Sequence, residues 1–381
     1  MKVDRELPTT QAGELLDLVS EVARDALAPR AAAAERDAAF PRDVFTMLGR
    51  MSLLGLPYAE EHGGSGQPYT VYLQVVEELS RAWLTVGLGV SVHTLACFPL
   101  ARFGTEAQRA QWLPGMLGGD QLGAYCLSEP DSGSDAGALR TRAENAADGY
   151  RLSGTKAWIT HAGHADFYTV MARTSDNRSR GISCFLLPSD AEGIRAGVPE
   201  KKMGLRGSPT GQLHLDNVAA GSERLIGNEG QGFTIALAAL DTGRLGIAAC
   251  SVGLAQAALD VALDYAGERR QFGQPIGDFE GLGFMLADMA TGVAAGRALY
   301  LAAARRADAG ERFTMQAAMA KLFCTDMAMR VTTDAVQVLG GYGYVEDYPV
   351  ERYLREAKAL QIVEGTNEVQ RLVISRQLRG S

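Results

Sequence analysis

The spacing of apolar residues changes twice along this 381-residue chain, and that change limits the fold more than any other feature of the sequence. In the first third, apolar side chains recur every three or four residues, as at Leu15, Leu18 and Val22, which is the period of an amphipathic helix. The pattern predicts helices over residues 11–38, 41–54 and 70–100.

After about residue 119 the pattern becomes that of strands. Short runs rich in β-branched and aromatic residues alternate with Gly, Ser, Asp and Pro turns, at residues 150–152, 157–160, 167–172, 182–187 and 212–215. Helical periodicity returns from residue 232 in four long segments, 233–267, 279–309, 314–339 and 367–378. Long helices with short connections favour a bundle.

These three segments, with helical, strand and again helical patterns, predict an α+β multidomain chain. We expect an N-terminal all-α domain over residues 1–118, a small central β-barrel or sandwich domain over residues 119–231, and a C-terminal four-helix bundle over residues 232–381. The length agrees, because a typical domain has about 100 to 200 residues.

Composition argues against several classes of protein. The 37 basic and 45 acidic residues give a net charge of -8, so no diffuse positive field favours nucleic acid. The five separated cysteines, without a C-x-x-C pair, predict packed thiols in a reducing compartment. With no signal-like N-terminus, we expect a cytoplasmic protein. The most apolar segment, residues 233–263, is interrupted by Asp241, Arg244 and Asp260, which predicts a buried helix and no membrane span.

Sequence patterns for three common chemistries are missing. The chain has no complete G-x-G-x-x-G and no G-x-S-x-G. His161 and His164 lie close together, but no E-x-x-H motif or nearby cysteine accompanies them, so we predict no metal site. Gly340 and Gly341 follow a predicted helix, as glycines of a helix C-cap do.

Asp241 and Arg244 stand three residues apart in an otherwise apolar segment, so they share one face of the predicted helix. One interpretation is a local ion pair at a subunit or helix contact, because buried charges are usually paired. The other is a polar anchor for a ligand that lies along this helix.

Glu364 follows the apolar residues 359–363 and precedes Gly365, and residues 367–370 have the form of a capping box that opens the last helix. Near a helix start, a glutamate is often solvated and favoured by the helix dipole. Beside apolar walls, its pKa would instead rise from about 4.3 toward neutrality, which suits a general base.

Eight collinear motifs extend over nearly the whole chain. They are YCLSEPDSGSD (125–135), KAWIT (156–160), KMGLRGSPT (202–210), DTGR (241–244), ERRQFG (268–273), QVLGG (337–341), YPVER (348–352) and EGTNEVQR (364–371). Together, and in this order, they resemble the acyl-CoA dehydrogenase family.

This resemblance implies FAD at the junction of the middle domain and the bundle, in a homotetramer built as a dimer of dimers. Family positions that contact the flavin match Tyr125, Leu127, Ser128, Gly133, Ser134, Trp158, Ile159, Thr160, Thr366 and Glu368. Positions contributed by a neighbouring subunit match Arg269, Gln271, Phe272, Gln337, Gly340 and Gly341. Two departures are Ser128 in place of the commoner threonine, which keeps the hydroxyl, and Glu280 where many members have glutamine.

The resemblance also implies the reaction. Positions matching Ser134, Asp241, Arg244 and Gly365 bind the acyl-CoA, and Glu364 is the base. Glu364 would remove the α-proton while the β-hydrogen leaves as hydride to flavin N5, giving a trans-2-enoyl-CoA, and an electron-transfer flavoprotein would reoxidise the cofactor.

Two further positions bear on the substrate. Gly243 stands where the isovaleryl and long-chain branches carry their base, and Val363 stands where an aromatic residue is frequent. We expect short or medium saturated acyl chains, with Ser91 and Leu95 lining the tail.

Three alternative functions stay open at this stage. An acyl-CoA oxidase or a flavin monooxygenase of this superfamily would pass electrons to oxygen. The monooxygenases tend to lack the base, whereas Glu364 is present, and the larger oxidases add a helical domain that 381 residues do not hold. The acyl group could be carried by a carrier protein instead of CoA. A non-catalytic acyl-CoA-binding protein would keep the fold without the chemistry, which the presence of Glu364, Trp158 and Thr160 disfavours.

Overall fold

A computed structural model of the chain describes residues 3–380. Its first part is helical, as predicted, but the segment 70–100 is two helices separated by Trp83, whose backbone is extended (φ −158°). The helix that follows was not predicted, although the capping box between Thr105 and Gln108 marks its start. The helices are α1 (Thr10–Val22), α2 (Ala28–Asp37), α3 (Arg42–Arg50), α4 (Tyr69–Ala82), α5 (Leu84–Phe103) and α6 (Glu106–Leu117), with a π-helical turn at Ala23–Leu27.

The middle part is one mixed sheet of eight strands in the order β6-β7-β3-β2-β4-β5-β8, with β1 parallel to β4. Two of the predicted runs, 150–152 and 157–160, form a single long strand whose register shifts twice against β7. The strands are β1 (Gly123–Cys126), β2 (Arg142–Ala146), β3 (Gly149–Thr160), β4 (Phe167–Arg173), β5 (Ile182–Pro188), β6 (Ile194–Ala196), β7 (Thr210–Ala220) and β8 (Leu225–Ile226).

The last part is again helical. The four predicted helices are present with ends within one residue of the prediction. The structure adds the short helix α10 and a small hairpin of two strands with two residues each. The elements are α7 (Gly232–Glu268), β9 (Arg270–Gln271), β10 (Gln274–Pro275), α8 (Glu280–Asp308), α9 (Thr314–Leu339), α10 (Val350–Leu360) and α11 (Asn367–Leu378).

Helix α7 is the central element of the fold. It packs against α4, α5, α8 and α9, and also reaches β5 of the sheet. Helices α5 and α7 are each long and apolar enough to cross a membrane by length and composition, but 89% of the relevant window of each is buried inside the protein. All-round burial explains why both helices are apolar on every face.

One core cluster joins the N-terminal helices to the C-terminal bundle, and α5 also contacts β1. All five cysteines are buried and free, as predicted. Helix α5 contacts both α7 and β1, and Gly243 of α7 lies beside Leu95 of α5 and Glu364 of the connection from α10 to α11. These four parts of the chain therefore meet in one region.

Candidate active site

Glu364 lies on the tight turn between α10 and α11. Its backbone is in the left-handed region at φ +54°, next to Gly365 at φ +88°. The side chain of Gln370 holds this turn from α11, because its Nε2 donates to the carbonyl oxygen of Gly365 at 2.8 Å and to that of Glu364 at 3.3 Å. A glutamate seldom adopts a positive φ, so the surrounding structure must hold this one there.

The start of α11 corrects one detail of the sequence prediction. The N-cap of this helix is Thr366, whose hydroxyl accepts from the backbone N–H of Val369 at 3.3 Å. Asn367 is not the cap. It is buried, and its side chain points back toward α9, where it bonds to Thr325 and Asp326.

The carboxyl group of Glu364 is desolvated. Burial raises its pKa to about 7, while the positive charges of Arg244 and Lys321 act in the opposite direction. The residue as a whole is half-buried, but its Oε2 is covered and has no hydrogen-bond partner among residues 3–380. At neutral pH this carboxyl can therefore accept or release a proton.

Three more covered polar atoms in this region lack a partner within residues 3–380, namely Tyr125 Oη, Arg244 Nε and Gln370 Oε1. Burial raises the pKa of Tyr125 well above its usual value, and the charges of Cys184 and Glu364 raise it further. Buried polar groups are normally paired, so unpaired ones at one place point to a ligand that completes them.

Asp241 and Arg244 form the local ion pair that one interpretation predicted, with Arg244 Nη1 2.7 Å from Asp241 Oδ1. The other carboxylate oxygen of Asp241 accepts from the hydroxyl of Thr314 at 2.6 Å. The pair therefore lies at a contact between α7 and α9, and the charge of Arg244 lowers the pKa of Glu364. The second interpretation, a polar anchor for a ligand, stays a prediction.

Strand β3 carries an exposed tryptophan on a bulge. Its pairing with β7 shifts between Lys156 and Ile159, and Trp158, between them, has φ +61°. As a result the Trp158 side chain points outward and is 65% exposed, whereas Ile159 is buried in the sheet core. Ile159 can therefore meet a cofactor only through its backbone.

A buried ion pair fixes the loop that follows β1. Lys156 Nζ lies 2.8 Å from Glu129 Oε1 and donates to the carbonyl oxygen of Leu127 at 3.1 Å. Glu129 in turn accepts from the backbone N–H of Thr141 at 2.9 Å. Next to Leu127, the carbonyl oxygen of Ser128 accepts from the N–H of Ala157 at 2.9 Å. The loop and the tryptophan bulge are thus one rigid surface.

A separate cavity of about 640 Å³ brings four other predicted cofactor residues together. Gly340 ends α9 with φ +59°, and a side chain at Gly340 or Gly341 would meet only open space. The guanidinium of Arg269 lies over the ring of Tyr342, 5.8 Å from its centroid. The lining residues are Tyr265, Arg269, Gln271, Ile276, Val338, Leu339, Gly340, Gly341, Tyr342, Val345, Asp347 and Tyr348.

A permanent cation beside accessible glycine backbone suits a phosphate-bearing group. The exposed aromatic face on the rigid β3 surface suits a flat ring system. The residues present thus fit the FAD that the resemblance implies. Arg269 and the glycine backbone suit its phosphates, and the β3 surface suits its ring system.

The remaining predicted residues vary in exposure. Leu127 is buried, and Ser128, Thr160, Gly365 and Thr366 are half-buried. Phe272 is 94% exposed and contacts Phe279 edge to face. The rest lie at the surface: Gly133, Ser134, Gln337, Glu368 and the departure Glu280.

The two histidines lie in the turn that directly follows β3. His161 is buried, its Nδ1 lies 3.0 Å from the carbonyl oxygen of Gly123, and burial lowers its pKa to about 4. Both rings pack against Phe40. Within residues 3–380, no group of three or more His, Cys, Asp or Glu side chains is placed to hold a metal ion.

Sequence reasoning missed two buried lysines that contact the loop after β1 and the turn that carries Glu364. Lys156 is part of a quoted motif but received no role, and Lys321 was not singled out at all. Each is fully buried. The signal available in the sequence was a lysine next to apolar residues, because a lysine that becomes buried is almost always paired.

Comparison with known proteins covers the whole described fold. Profiles of the acyl-CoA dehydrogenase N-terminal, middle and C-terminal domains match residues 9–120, 124–218 and 230–379. An acyl-CoA dehydrogenase of Bacillus subtilis is 45% identical over 95% of this chain and 96% of its own length. A short-chain specific acyl-CoA dehydrogenase of Clostridium acetobutylicum is 41% identical over 97% and 98%.

Solved structures agree closely with the fold. Butyryl-CoA dehydrogenase from Megasphaera elsdenii matches with a TM-score of 0.96 and 39% identity, over 99% of this chain and all (100%) of that one. A chain from a study of the electron transferring flavoprotein of Acidaminococcus fermentans matches with a TM-score of 0.96 and 42% identity, over 99% of each chain.

Two more distant structures bear on the cofactor and on the substrate carrier. The prolyl acyl carrier protein oxidase AnaB matches with a TM-score of 0.94 and 27% identity, over 97% of this chain and 99% of that one. The FAD complex of PigA matches with a TM-score of 0.94 and 25% identity, over 99% of each.

Proposed function

This chain belongs to the acyl-CoA dehydrogenase family, whose members are FAD-dependent oxidoreductases acting on CH–CH groups, and on that premise we propose that it converts a saturated acyl-CoA into a trans-2-enoyl-CoA with Glu364 as the base. The observation that carries the proposal is the desolvated carboxyl of Glu364, with a pKa of about 7 and an unpaired Oε2.

The chemistry requires such a group because the α-hydrogen of a thioester is a weak acid. A solvated carboxylate with an ordinary pKa would be too weak a base, whereas burial makes the Glu364 carboxylate more basic. Its covered Oε2 is committed to no other donor within residues 3–380. We propose that the backbone N–H of Glu364 donates a hydrogen bond to the thioester carbonyl oxygen, where negative charge develops as the proton leaves.

FAD, when bound, supplies the two-electron acceptor for the β-hydrogen. The residues that would hold its ring system are on the β3 surface: the hydroxyls of Ser128 and Thr160, the Trp158 ring, and the backbone of Leu127 and Ile159. Tyr125, Gly133, Ser134, Thr366 and Glu368 would complete this side.

We propose a homotetramer, built as a dimer of dimers, in which a neighbouring subunit brings the 640 Å³ cavity to the rest of the cofactor. That subunit would contribute Arg269, Gln271, Phe272, Gln337, Gly340 and Gly341. Support comes from large apolar side chains that one chain leaves in solvent, with Phe272 94% and Tyr344 86% exposed. We retain the division into domains at residues 1–118, 119–231 and 232–381 as part of this proposal.

For the substrate, we assign Asp241, Arg244, Ser134 and Gly365 to the CoA thioester. The acyl tail would lie between α5 and α7, where packing is close. A Cβ atom on Gly243 would be 3.3 Å from Leu95 Cδ1, and one on Gly246 would collide with Ser91 Oγ. Such a narrow space favours short acyl chains, in agreement with the short-chain specific and butyryl-CoA relatives.

We propose an electron-transfer flavoprotein as the electron acceptor and the cytoplasm as the location. The similarity to a chain from a study of such a flavoprotein supports the first part. Similarity to a carrier-protein oxidase favours one competing function, in which the acyl group is attached to a carrier protein and oxygen takes the electrons.

The test is anaerobic mixing of the yellow holoprotein with acyl-CoA thioesters of graded length and branching. We expect flavin bleaching, fastest with short chains, and turnover only with an added electron carrier. The Glu364→Gln variant should retain FAD and not bleach. Bleaching only by carrier-protein thioesters, with stoichiometric hydrogen peroxide in air, would favour the competing function. Normal flavin bleaching by the Glu364→Gln variant would refute the assignment of Glu364 as the base.

A further inference from the structure

Lys321 on α9 is fully buried, and its ammonium group contacts both ends of the turn that carries Glu364. Its Nζ donates to the carbonyl oxygen of Gln361 at 3.2 Å, before Glu364, and to Oδ1 of Asn367 at 2.8 Å, after it. The backbone N–H of Asn367 also donates to the Gln361 carbonyl oxygen at 3.1 Å, which closes the turn.

Two neighbours of Lys321 on α9 extend this contact. Asn367 Nδ2 donates to Thr325 Oγ1 at 2.9 Å and to Asp326 Oδ1 at 2.7 Å. Gln361 Nε2 donates to the same Asp326 oxygen at 2.6 Å. Side chains on one face of α9 thus bind both ends of the turn that carries Glu364 (residues 361–367, the base turn). Lys321 is the buried cation among these side chains.

The charges around Lys321 come from four elements. Burial lowers the pKa of Lys321 to about 7, while Glu364 on the turn, Asp326 on α9 and Glu368 on α11 raise it and Arg244 on α7 lowers it further. Around Glu364, the two charges that act are those of Arg244 and Lys321, and both lower its pKa. Lys321 is therefore coupled to the base by charge as well as by the backbone it holds.

We propose that Lys321 is a positioning residue for the base, which it serves in two ways: its ammonium group fixes the turn at Gln361 and Asn367, and its charge favours the ionised form of Glu364. This inference rests on the proposed role of Glu364 in proton abstraction. It separates into a mechanical part and an electrostatic part, which different substitutions can test.

The principal variant is Lys321→Met, which has similar length and no charge. Loss of a nearby opposite charge raises the pKa of a carboxyl by about one unit or more. We expect the pH midpoint of anaerobic flavin reduction to move to higher pH by about one unit, which lowers the rate about ten-fold at pH 6. At high pH, where Glu364 is ionised in both proteins, the rate should stay below that of the wild type, because the turn has lost its two hydrogen bonds to Lys321 Nζ. Lys321→Arg keeps the charge and should keep the wild-type midpoint.

Thr325→Val is the matched control, because it removes a hydrogen bond of the same network without changing charge. It should leave the midpoint unchanged, whatever it does to the maximal rate. If Lys321→Met does not fold, Lys321→Gln replaces it, since the amide retains one donor for the Gln361 carbonyl oxygen.

A second readout does not depend on turnover. Infrared difference spectra of the holoprotein, with Glu364→Gln identifying the carboxyl band, report the protonation of Glu364 directly. The band of the protonated acid should persist to higher pH in Lys321→Met than in the wild type. An unchanged infrared midpoint in that variant would overturn the electrostatic part of the inference, and a wild-type reduction rate at high pH would overturn the mechanical part. A wild-type protein that no acyl thioester bleaches would overturn the proposed function instead.

Discussion

Gly243 on α7 directly faces the carboxyl group of Glu364. A Cβ atom on Gly243 would lie 2.9 Å from Glu364 Oε2 and 3.3 Å from its Cδ. The absence of a side chain at Gly243 therefore makes the space that the base occupies.

This relationship predicts that Gly243→Ala impairs catalysis without impairing folding. The nearest atom is the end of a flexible side chain, which can move, and alanine is the better helix former. The free energy of unfolding should change by less than about 1 kcal/mol. The displaced carboxyl should slow anaerobic flavin reduction about 10- to 100-fold, since a shift of about 1 Å at a reacting group has that effect.

Gly13→Ala is the control for this substitution. Gly13 also lies in a helix, but a Cβ there meets nothing within 4 Å, so both rate and stability should stay close to wild type. Wild-type reduction rates in Gly243→Ala would mean that the Glu364 carboxyl does not react from the observed position.

The pKa of Glu364 also predicts how stability depends on pH. The carboxyl has a pKa of about 7 when folded and an ordinary value near 4.5 when unfolded. Between these values the folded state binds more protons than the unfolded state, so wild-type stability falls as pH rises through this window. Glu364→Gln lacks this titration, and its stability relative to wild type should grow by about 2–3 kcal/mol from pH 4.5 to pH 8.

Thermal unfolding of the two holoproteins across this pH range measures the effect. Glu106→Gln is the control of opposite sign, because a hydrogen bond from Arg109 lowers the pKa of Glu106 and its removal should cost stability above that pKa. A constant difference in melting temperature between wild type and Glu364→Gln would contradict a raised pKa.

The sequence predicted the elements that carry the site better than the contacts within it. Helix α9 was predicted to the residue, since its apolar period is uninterrupted from Thr314 to Leu339. The turn that carries Glu364 could also be predicted, because Gly365 follows it directly. The desolvation of its carboxyl could not be predicted from the residues before it, because Ile362 is 56% exposed and the carboxyl packs against Gly243 of the distant α7.

Contacts between distant segments could not be predicted. Lys321 meets the base turn because α9 and α11 pack together, and nothing near either segment encodes that approach. The same holds for Gly243 and Glu364. The capping box assigned to residues 367–370 failed for a related reason: Asn367 has a capping side chain, but buried partners on α9 bind it, and Thr366 caps the helix instead.

The buried pair of Lys156 and Glu129 gives a prediction for cofactor retention. Lys156→Met would leave the Glu129 carboxylate buried without its cation, which costs about 3–5 kcal/mol. It would also free the carbonyl oxygen of Leu127 from its donor and loosen the loop beside Trp158. We expect a lower melting temperature and FAD lost on gel filtration.

The exposed Lys201 provides the control, since Lys201→Met should retain FAD. In the double variant Lys156→Met with Glu129→Leu, no charge is left unpaired, so part of the stability should return. Full FAD retention and an unchanged melting temperature in Lys156→Met would mean that the pair does not support the flavin loop.

Leu95 gives a prediction for acyl-chain length. Its side chain is 2% exposed and fills the space between α5 and Gly243, so truncation opens a cavity beside the Glu364 carboxyl. Leu95→Ala should cost about 2–5 kcal/mol of stability and shift the preference of kcat/KM toward longer acyl chains. Leu27→Ala removes an equally buried leucine from another part of the core and should lower stability without changing that preference. Equal chain-length profiles in the two variants would mean that the acyl tail does not lie between α5 and α7.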